Sequence, residues 1–339
     1  MYQFQLVSAS TKLSDSVTMP SPIHTVIKHS ANHEGMIPYE TFMKIALYDH
    51  KFGYYKQKKT RVGYHQNSDF YTATNLSPPL LYRLITAAIK GLLPSQDLQN
   101  FVFVEIGPEP NLPIDPTVEE TFADYLPIPI GQPIKIPKKS IVFANELLDA
   151  QPFRRLCYQE RTWLEEWVCV NDPQDYFPVL EKPYLPLPQK LPQEVCSGYR
   201  IDYPQAAENL LSFIHKAPWH GLFLTFDYGK SQLETFHHCP QGTARAYHNH
   251  QLVENLWQNP GQQDLTCHLI WDHLQETIST PSHLQNLESF FITHAREEIK
   301  IILENYAKTF NQEKQSLIQL LHPAHMGQKF QALHYYKHS

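Results

Sequence analysis

The amino-acid sequence predicts an α/β protein with an open, mainly parallel sheet. Three apolar runs lie far apart in the chain: FVFVEI (101–106), SIVFANELL (140–148) and GLFLTFDYG (221–229). None of them alternates apolar with polar residues, so each is expected to be covered on both faces, as strands of parallel sheets are. The long connections between the runs leave room for the crossovers that parallel strands need.

Composition and charge exclude several classes of protein. The chain has 339 residues, of which 42% are hydrophobic, and a net charge of -6. This charge argues against a nucleic-acid partner, which requires a basic face. The five cysteines show no CxxC spacing, so neither a disulfide framework nor a metal site is predicted. The most apolar helical stretch, residues 79–93, is shorter than a membrane span. We therefore expect a cytoplasmic protein without a membrane span.

The chain divides into four parts. Residues 1–20 show no periodicity and predict a loose N-terminal tail. Residues 21–98 predict a helical region with a long aromatic and polar loop, a kind of loop that is often functional. Residues 99–282 contain the three predicted strands, with an insertion at about 155–200. Residues 283–339 have apolar positions at helical spacing, which predicts a C-terminal helical region.

Polar residues follow each apolar run, at the place where open α/β sheets bind their ligands. They are Glu105, Gly107, Asn145, Glu146, Asp149 and Asp227. Because parallel strands end at the same edge of a sheet, Glu105, Asn145 and Asp227 are expected to line one cleft. Asn and Asp are also common in turns and helix caps, so each residue taken singly is equally consistent with a turn.

Eight segments spread over most of the chain match one family pattern. In chain order they are YETFMKIALYDHKFGYY (39–55), SDFYTATNLSP (68–78), FVEIGP (103–108), IVFANELLDAQP (141–152), LFLTFDYG (222–229), GTARAYHNH (242–250), NPGQQDLTCHLIWDHL (259–274) and HPAHMGQKFQAL (322–333). On these segments the sequence resembles the MidA family of methyltransferases. The segments ALYDHKFGYY and PGQQDLTCH are the most specific, because a generic fold needs neither.

The resemblance implies a class I, Rossmann-like methyltransferase fold with S-adenosyl-L-methionine as cofactor. It also implies a protein arginine as methyl acceptor, and mitochondrial members of the family act as assembly factors for complex I. The residues implied to bind the cofactor are Asp69, Phe70, Thr72, Glu105, Gly107 and Asn145. The residues implied to position the acceptor are Asn145, Glu146, Asp149 and Asp227. Phe70 is equally consistent with a side chain that only holds its loop on the sheet.

The chain departs from the family pattern directly after Gly107. There the family continues as GRGTL and opens a helix whose N–H groups face the cofactor's carboxylate, whereas this chain has Pro108–Pro110. Glu109 would repel a carboxylate, and the two prolines have no N–H to donate. A short helix is predicted to begin late, at 115–116. In the interval up to Ser140 the ribose-binding strand is predicted to be vestigial or absent, with no acidic residue in its role.

Two functions therefore remain open. The chain is either a methyltransferase with a protein substrate, or a catalytically degenerate family member that serves as a protein-binding or assembly module. Each lost charge-assisted contact with the cofactor weakens binding by about 1.5 to 3 kcal/mol. Two such losses predict no binding at micromolar cofactor, which favours the second function. The oligomeric state is not defined by the sequence.

Overall fold

The computed structural model describes residues 21–57, 78–110, 113–193, 195–248, 251–305 and 312–338. The predicted tail, residues 1–20, lies outside these ranges. Within them the strands form a seven-stranded, a five-stranded and a three-stranded sheet. The helices are α1 (Pro22–Ser30), α2 (Tyr39–Tyr48), α3 (Pro78–Leu92), α4 (Pro116–Thr121), α5 (Gln205–Lys216), α6 (Gln232–His238), α7 (Trp271–Glu276), α8 (Leu287–His294), α9 (Arg296–Asn305) and α10 (Gln312–Leu321). None of these helices is long and apolar enough to cross a membrane.

The seven-stranded sheet is mixed and contains all three predicted strands. Its strands are β2 (Val102–Ile106), β3 (Asp124–Ile128), β4 (Lys139–Asn145), β9 (His220–Lys230), β13 (Leu269–Ile270), β14 (Ser282–Asn286) and β15 (Phe330–Lys337). Their order is β14–β15–β9–β4–β2–β3, with β13 beside β9. Strands β3, β2, β4 and β9 are parallel neighbours, whereas β15 is antiparallel to β9 and to β14. The predicted parallel core is confirmed, and antiparallel strands extend it.

Helices cover both faces of this sheet, which explains why the strands lack polar alternation. One face packs against α3, α4, α8, α9 and α10 through residues such as Phe103 and Phe143. The opposite face packs against α5 and α7 through the alternate residues Val104 and Val142. The central strands β2, β4 and β9 therefore bury both of their sides.

The interval 107–140 contains a strand that the sequence prediction missed. Helix α4 begins as predicted, with the Asp115 carboxylate accepting the Thr117 N–H at 2.9 Å, but it ends after six residues. Strand β3 follows and pairs in parallel with β2. Pro127 is tolerated inside β3 because this strand lies at the edge of the sheet. The prediction that a strand is vestigial or absent in this interval is wrong. The segment that follows β3, PIGQ (129–132), contains no acidic residue, as expected.

The two smaller sheets are antiparallel. The five-stranded sheet contains β1 (Met36–Pro38), β5 (Arg154–Gln159), β6 (Thr162–Cys169), β7 (Phe177–Glu181) and β8 (Tyr199–Tyr203). Glu160 and Arg161 join β5 to β6 with φ of 51° and 62°, the positive values that a tight hairpin turn requires. The three-stranded sheet contains β10 (Arg245–His248), β11 (Gln251–Val253) and β12 (Asp264–Thr266).

The C-terminal region is less helical than its sequence pattern suggests. Helices α8, α9 and α10 lie there, but β14 precedes them and β15 follows them. Both strands belong to the central sheet. The region therefore completes the core that the earlier strands begin.

Candidate functional site

The carboxyl ends of the parallel strands open onto a cavity of about 860 Å³. Glu105 from the end of β2 and Asn145 from the end of β4 line this cavity, together with Gly107, Glu146 and Asp149. Asp227 does not line it, because β9 continues past Asp227 to Lys230 and the carboxyl group is fully buried. The structure thus brings five of the predicted residues together and places Asp227 beneath them.

Asp227 holds the turn that follows β4. Its carboxylate accepts the N–H groups of Leu148 at 2.9 Å, Asp149 at 3.2 Å and Tyr228 at 2.9 Å. Burial raises its pKa to about 7; the negative charge of Glu146 adds to the rise, and the three N–H groups oppose it. The role of Asp227 in this arrangement is to orient the turn that carries Asp149.

Glu146 has a strained backbone at the end of β4. Its φ is 48°, a left-handed conformation that costs a residue other than glycine about 1 to 3 kcal/mol. Its N–H donates to the carbonyl of Phe226 at 2.8 Å, which fixes this conformation. The side-chain amide of Asn145 donates to the Glu146 carboxylate at 3.1 Å. The strain thus directs the Glu146 side chain to the cavity wall.

Asp149 is the more deeply buried of the two acids in the turn after β4 that line the cavity. The residue is 4% exposed, and its Oδ1 atom has no hydrogen-bond partner among the described residues. Burial raises the pKa of this carboxyl well above its ordinary value, and the charges of Asp227 and Asp264 raise it further. Hydrogen bonds from Tyr228 and the Ala150 N–H act in the opposite direction. A buried acceptor without a partner is unfavourable, and a cationic ligand in the cavity would satisfy it.

Tyrosines from the N-terminal region form one wall of the cavity. The rings of Tyr48 and Tyr55 stack with centroids 5.3 Å apart, and both side chains line the cavity. The Tyr55 hydroxyl donates to Asp264 at 2.8 Å, and the Tyr48 hydroxyl donates to the carbonyl of Ala150 at 2.8 Å. These bonds connect α2 to the turn after β4, and the short helical turn Tyr54–Lys56 to the three-stranded sheet.

Sequence reasoning did not assign roles to Tyr48, Tyr55, Asp264 or His268. The signal was present, because all four lie in the two most specific family segments, ALYDHKFGYY and PGQQDLTCH. His268 lines the cavity and packs edge-to-face on Tyr228, with ring centroids 5.4 Å apart. Burial, with the charges of nearby cations, lowers its pKa to about 4, so its ring is neutral at physiological pH.

Glu105 is held by two tyrosines at the cavity wall. It accepts the hydroxyl of Tyr82 from α3 at 2.9 Å and that of Tyr125 from β3 at 2.7 Å. The carboxyl is 2% exposed, and burial raises its pKa while the two hydroxyls lower it. Glu105 therefore joins α3, β2 and β3 at the site, and its two hydroxyl partners use much of its capacity to accept bonds.

The turn after β2 offers few donors to a ligand. Gly107 has φ of 74°, and its N–H donates to the carbonyl of Ile128 at 2.9 Å. Pro108 and Pro110 have no N–H to donate. Both prolines line the cavity, and so does Glu109 between them. The loss of an anion cradle at this turn stays a prediction, because residues 111 and 112 lie outside the described ranges.

Charged side chains of both signs line the cavity. The carboxylates are those of Glu105, Glu109, Glu146, Asp149, Glu234 and Asp264, and the ammonium groups are those of Lys56, Lys230 and Lys329. Among the described residues, six carboxyl groups against three lysines make the lining acidic overall. Such a cavity favours a ligand that carries positive charge, with lysines present for an anionic group.

Three of the predicted cofactor ligands cannot be compared with the structure. Asp69, Phe70 and Thr72 lie outside the described residues. In the ranges that are described, no group of three or more histidine, cysteine, aspartate or glutamate side chains could hold a metal ion.

Comparisons with known proteins point to methyl transfer. Residues 127–288, somewhat less than half of the 339-residue chain, match a family described as "Putative S-adenosyl-L-methionine-dependent methyltransferase". A search of the curated proteins found no match. Over these residues the chain is similar to a family of putative S-adenosylmethionine-dependent methyltransferases.

Two crystal structures of Burkholderia thailandensis proteins share the fold. One is a "likely methyl transferase" bound to S-adenosyl-homocysteine, with a TM-score of 0.77 and 19% identity over 94% of this chain and 95% of that chain. The other is an uncharacterized protein of the same superfamily, with a TM-score of 0.74 and 18% identity over the same shares of both chains. At these identities the likeness establishes the mixed α/β fold.

Proposed function

We propose that this protein is an S-adenosylmethionine-dependent methyltransferase of the MidA type whose site is the cavity at the carboxyl ends of β2, β4 and β9. The observation that carries the proposal is Asp149, a buried carboxyl on the wall of a cavity of about 860 Å³ whose Oδ1 atom has no partner among the described residues. Cavities of this size hold small organic ligands. The parallel core with an added antiparallel strand supports a class I, Rossmann-like architecture.

The residues of the cavity fit most of the cofactor's charged groups. When bound, S-adenosylmethionine supplies a methyl group on a positively charged sulfur. Glu146 and Asp149 would face positive charge, and Lys230 and Lys329 could replace the missing turn donors for the carboxylate. No acidic residue in the segment directly after β3, PIGQ (129–132), could accept hydrogen bonds from the ribose hydroxyls. The loss of one such contact predicts roughly ten- to a hundred-fold weaker binding than in a site that retains it.

The acidic lining also suits a basic methyl acceptor. We propose a protein arginine, which the family resemblance implies, with its guanidinium held by the carboxylates of Glu146 and Asp149. Orientation and electrostatics account for most of the acceleration in a reaction of this kind. All five cysteines are free, which agrees with a reducing compartment, and we propose the cytoplasm.

Calorimetric titration with S-adenosyl-homocysteine and S-adenosylmethionine tests the proposal. We expect saturable binding of both ligands by the wild-type protein, and weaker binding of S-adenosylmethionine by Asp149→Asn. Asp172→Asn is the matched control, because it makes the same chemical change in an exposed turn where Asp172 accepts the Gln174 N–H. Radiolabelled methyl transfer to arginine in extract proteins then tests catalysis. Absence of binding of either ligand at millimolar concentration would refute the proposal.

A second function is favoured by the turn after β2. Pro108, Glu109 and Pro110 place a negative charge at the cavity where the resembled family has glycine-rich backbone. A chain that folds around this cavity without binding the cofactor would act as a protein-binding or assembly module. It would form a stable complex with a partner protein and yield no S-adenosyl-homocysteine.

A further inference from the structure

Asp149 is placed where it can respond to the charge of a ligand. Its backbone N–H donates to Asp227, its Oδ1 has no partner among the described residues, and the side chain lines the cavity. The carbonyl of Asp149 accepts the N–H of Cys267 at 3.2 Å. The backbone N–H and carbonyl of Asp149 thus hold the turn on both sides, while one carboxyl oxygen without a partner among the described residues lies buried at the cavity wall.

The ionisable groups around Asp149 come from four parts of the fold. Strand β9 contributes Asp227 and Tyr228, and the turn itself contributes Glu146. Strand β12 contributes Asp264, and Cys267 and His268 follow this strand; His268 packs on Tyr228. The N-terminal region contributes Tyr48 and Tyr55. Three carboxyl groups crowded into a buried space cannot all be ionised cheaply. A proton on Asp149 relieves this repulsion in the free protein.

We propose that Asp149 exchanges its proton for the positive charge of the ligand, so that the cavity binds a cationic sulfonium more tightly than the neutral thioether that remains after group transfer. The proton leaves to solvent when the cation binds, and it returns when the charge is gone. The O–H bond of the Asp149 carboxyl is the covalent bond that breaks and re-forms in this exchange. The inference rests on the proposed function, because it takes the sulfonium of that cofactor as the cation.

The exchange gives the site a way to release its product. Methyl transfer turns a sulfonium into a thioether and so removes the charge that held Asp149 ionised. The carboxyl group then faces Asp227 and Asp264 without a cation, and regaining its proton is favoured. The affinity for the charged donor therefore increases relative to that for the neutral product as the pH rises and the cost of removing the Asp149 proton falls.

Calorimetry of the full-length protein in two buffers of different ionisation enthalpy measures the exchange directly. At one pH between about 5 and 7, below the titration of the ligands' amino groups, proton release appears as a difference in heat between the buffers. We expect proton release with S-adenosylmethionine and none with S-adenosyl-homocysteine. The dissociation constant of the charged ligand is expected to fall by up to about tenfold per pH unit, and that of the neutral ligand to stay constant.

Variants separate Asp149 from the general charge of the cavity. Asp149→Asn is expected to abolish proton release and the preference for the charged ligand while it retains binding of S-adenosyl-homocysteine. Glu234→Gln neutralises another carboxylate of the lining, whose pKa is lowered by hydrogen bonds from Ser231, and is expected to leave proton release unchanged. Glutamine keeps the helix cap that Glu234 forms with Ser231.

The possible failures have different signatures. Equal proton release for the two ligands, or release that persists in Asp149→Asn, overturns the exchange while the proposed cofactor site stands. Failure of either ligand to bind overturns the proposed function, and the exchange with it. The comparison of the two ligands on the wild-type protein needs no variant, so a poorly folded Asp149→Asn would not remove the test.

Discussion

The substitution Asp227→Asn is expected to change how the stability of the protein depends on pH. Asp227 is fully buried, and burial raises its pKa from an ordinary 3.8 to about 7. A carboxyl group whose pKa rises on folding stabilises the folded state while it is protonated. Its contribution is complete below pH 3.8 and is lost as the pH rises through 7. Asparagine does not ionise, so the stability of the variant does not fall in this way as the pH rises.

The size of the effect follows from the two pKa values. Their separation of about three pH units corresponds to about 4 kcal/mol, at 1.36 kcal/mol per unit. From about pH 4 to pH 8, the free energy of unfolding of the wild type should fall by about 4 kcal/mol relative to that of the variant. The amide also accepts fewer of the three N–H groups that Asp227 holds, which costs the variant about 1 to 3 kcal/mol at every pH.

Urea denaturation of both proteins across this pH range measures the difference, because all other groups titrate in both. The expected result is a variant that is less stable than the wild type near pH 4 and gains relative to it as the pH rises. Asp172→Asn, at an exposed turn, should show no such trend. A difference that stays constant with pH, or falls as the pH rises, would refute the assignment of a buried proton to Asp227.

Three further outcomes are expected. Arg154→Met should lower the free energy of unfolding by about 3 to 5 kcal/mol, because Arg154 and Glu165 are each 1% exposed and pair through two bonds of 2.9 and 2.8 Å. Adding Glu165→Leu should restore most of this loss, and urea denaturation measures both. Glu109→Gln should tighten calorimetric binding of S-adenosyl-homocysteine by about fivefold, because two like charges about 4 Å apart in water repel each other by about 1 kcal/mol and Glu109 lines the cavity. His334→Phe should lessen the drop in melting temperature as the pH falls from 6.5 towards 4, because burial lowers the pKa of His334 to about 4 and folding therefore opposes its protonation.

The sequence predicted the parallel core because a strand that is buried on both faces is a continuous apolar run. Such a run can be recognised without knowing which other segments pack against it. Strand β3 was missed for the opposite reason: it lies at the sheet edge, where Pro127 is allowed, and its residues do not form a continuous apolar run. The apolar pattern of a segment therefore predicts a buried strand well and an edge strand poorly.

The same distinction holds at the site. Glu105, Asn145 and Asp149 were found because they follow apolar runs. The burial of Asp227 was not predicted, because Asp227 was interpreted as a polar residue at the end of the run 221–229, whereas β9 continues to Lys230. The bond between Tyr55 and Asp264 joins residues 209 positions apart, and only the folded chain brings such positions together.

The position of β15 determines when the central sheet can close during synthesis. β9 is bordered by β4 on one side and by β15 on the other, and the contact from Gly229 to Gln331 spans 102 positions. A nascent chain therefore holds β9, a strand of buried apolar residues, with one long edge unpaired until those positions leave the ribosome. An unpaired apolar edge recruits other strands, so chains stalled before residue 330 are expected to depend on chaperones or to be degraded.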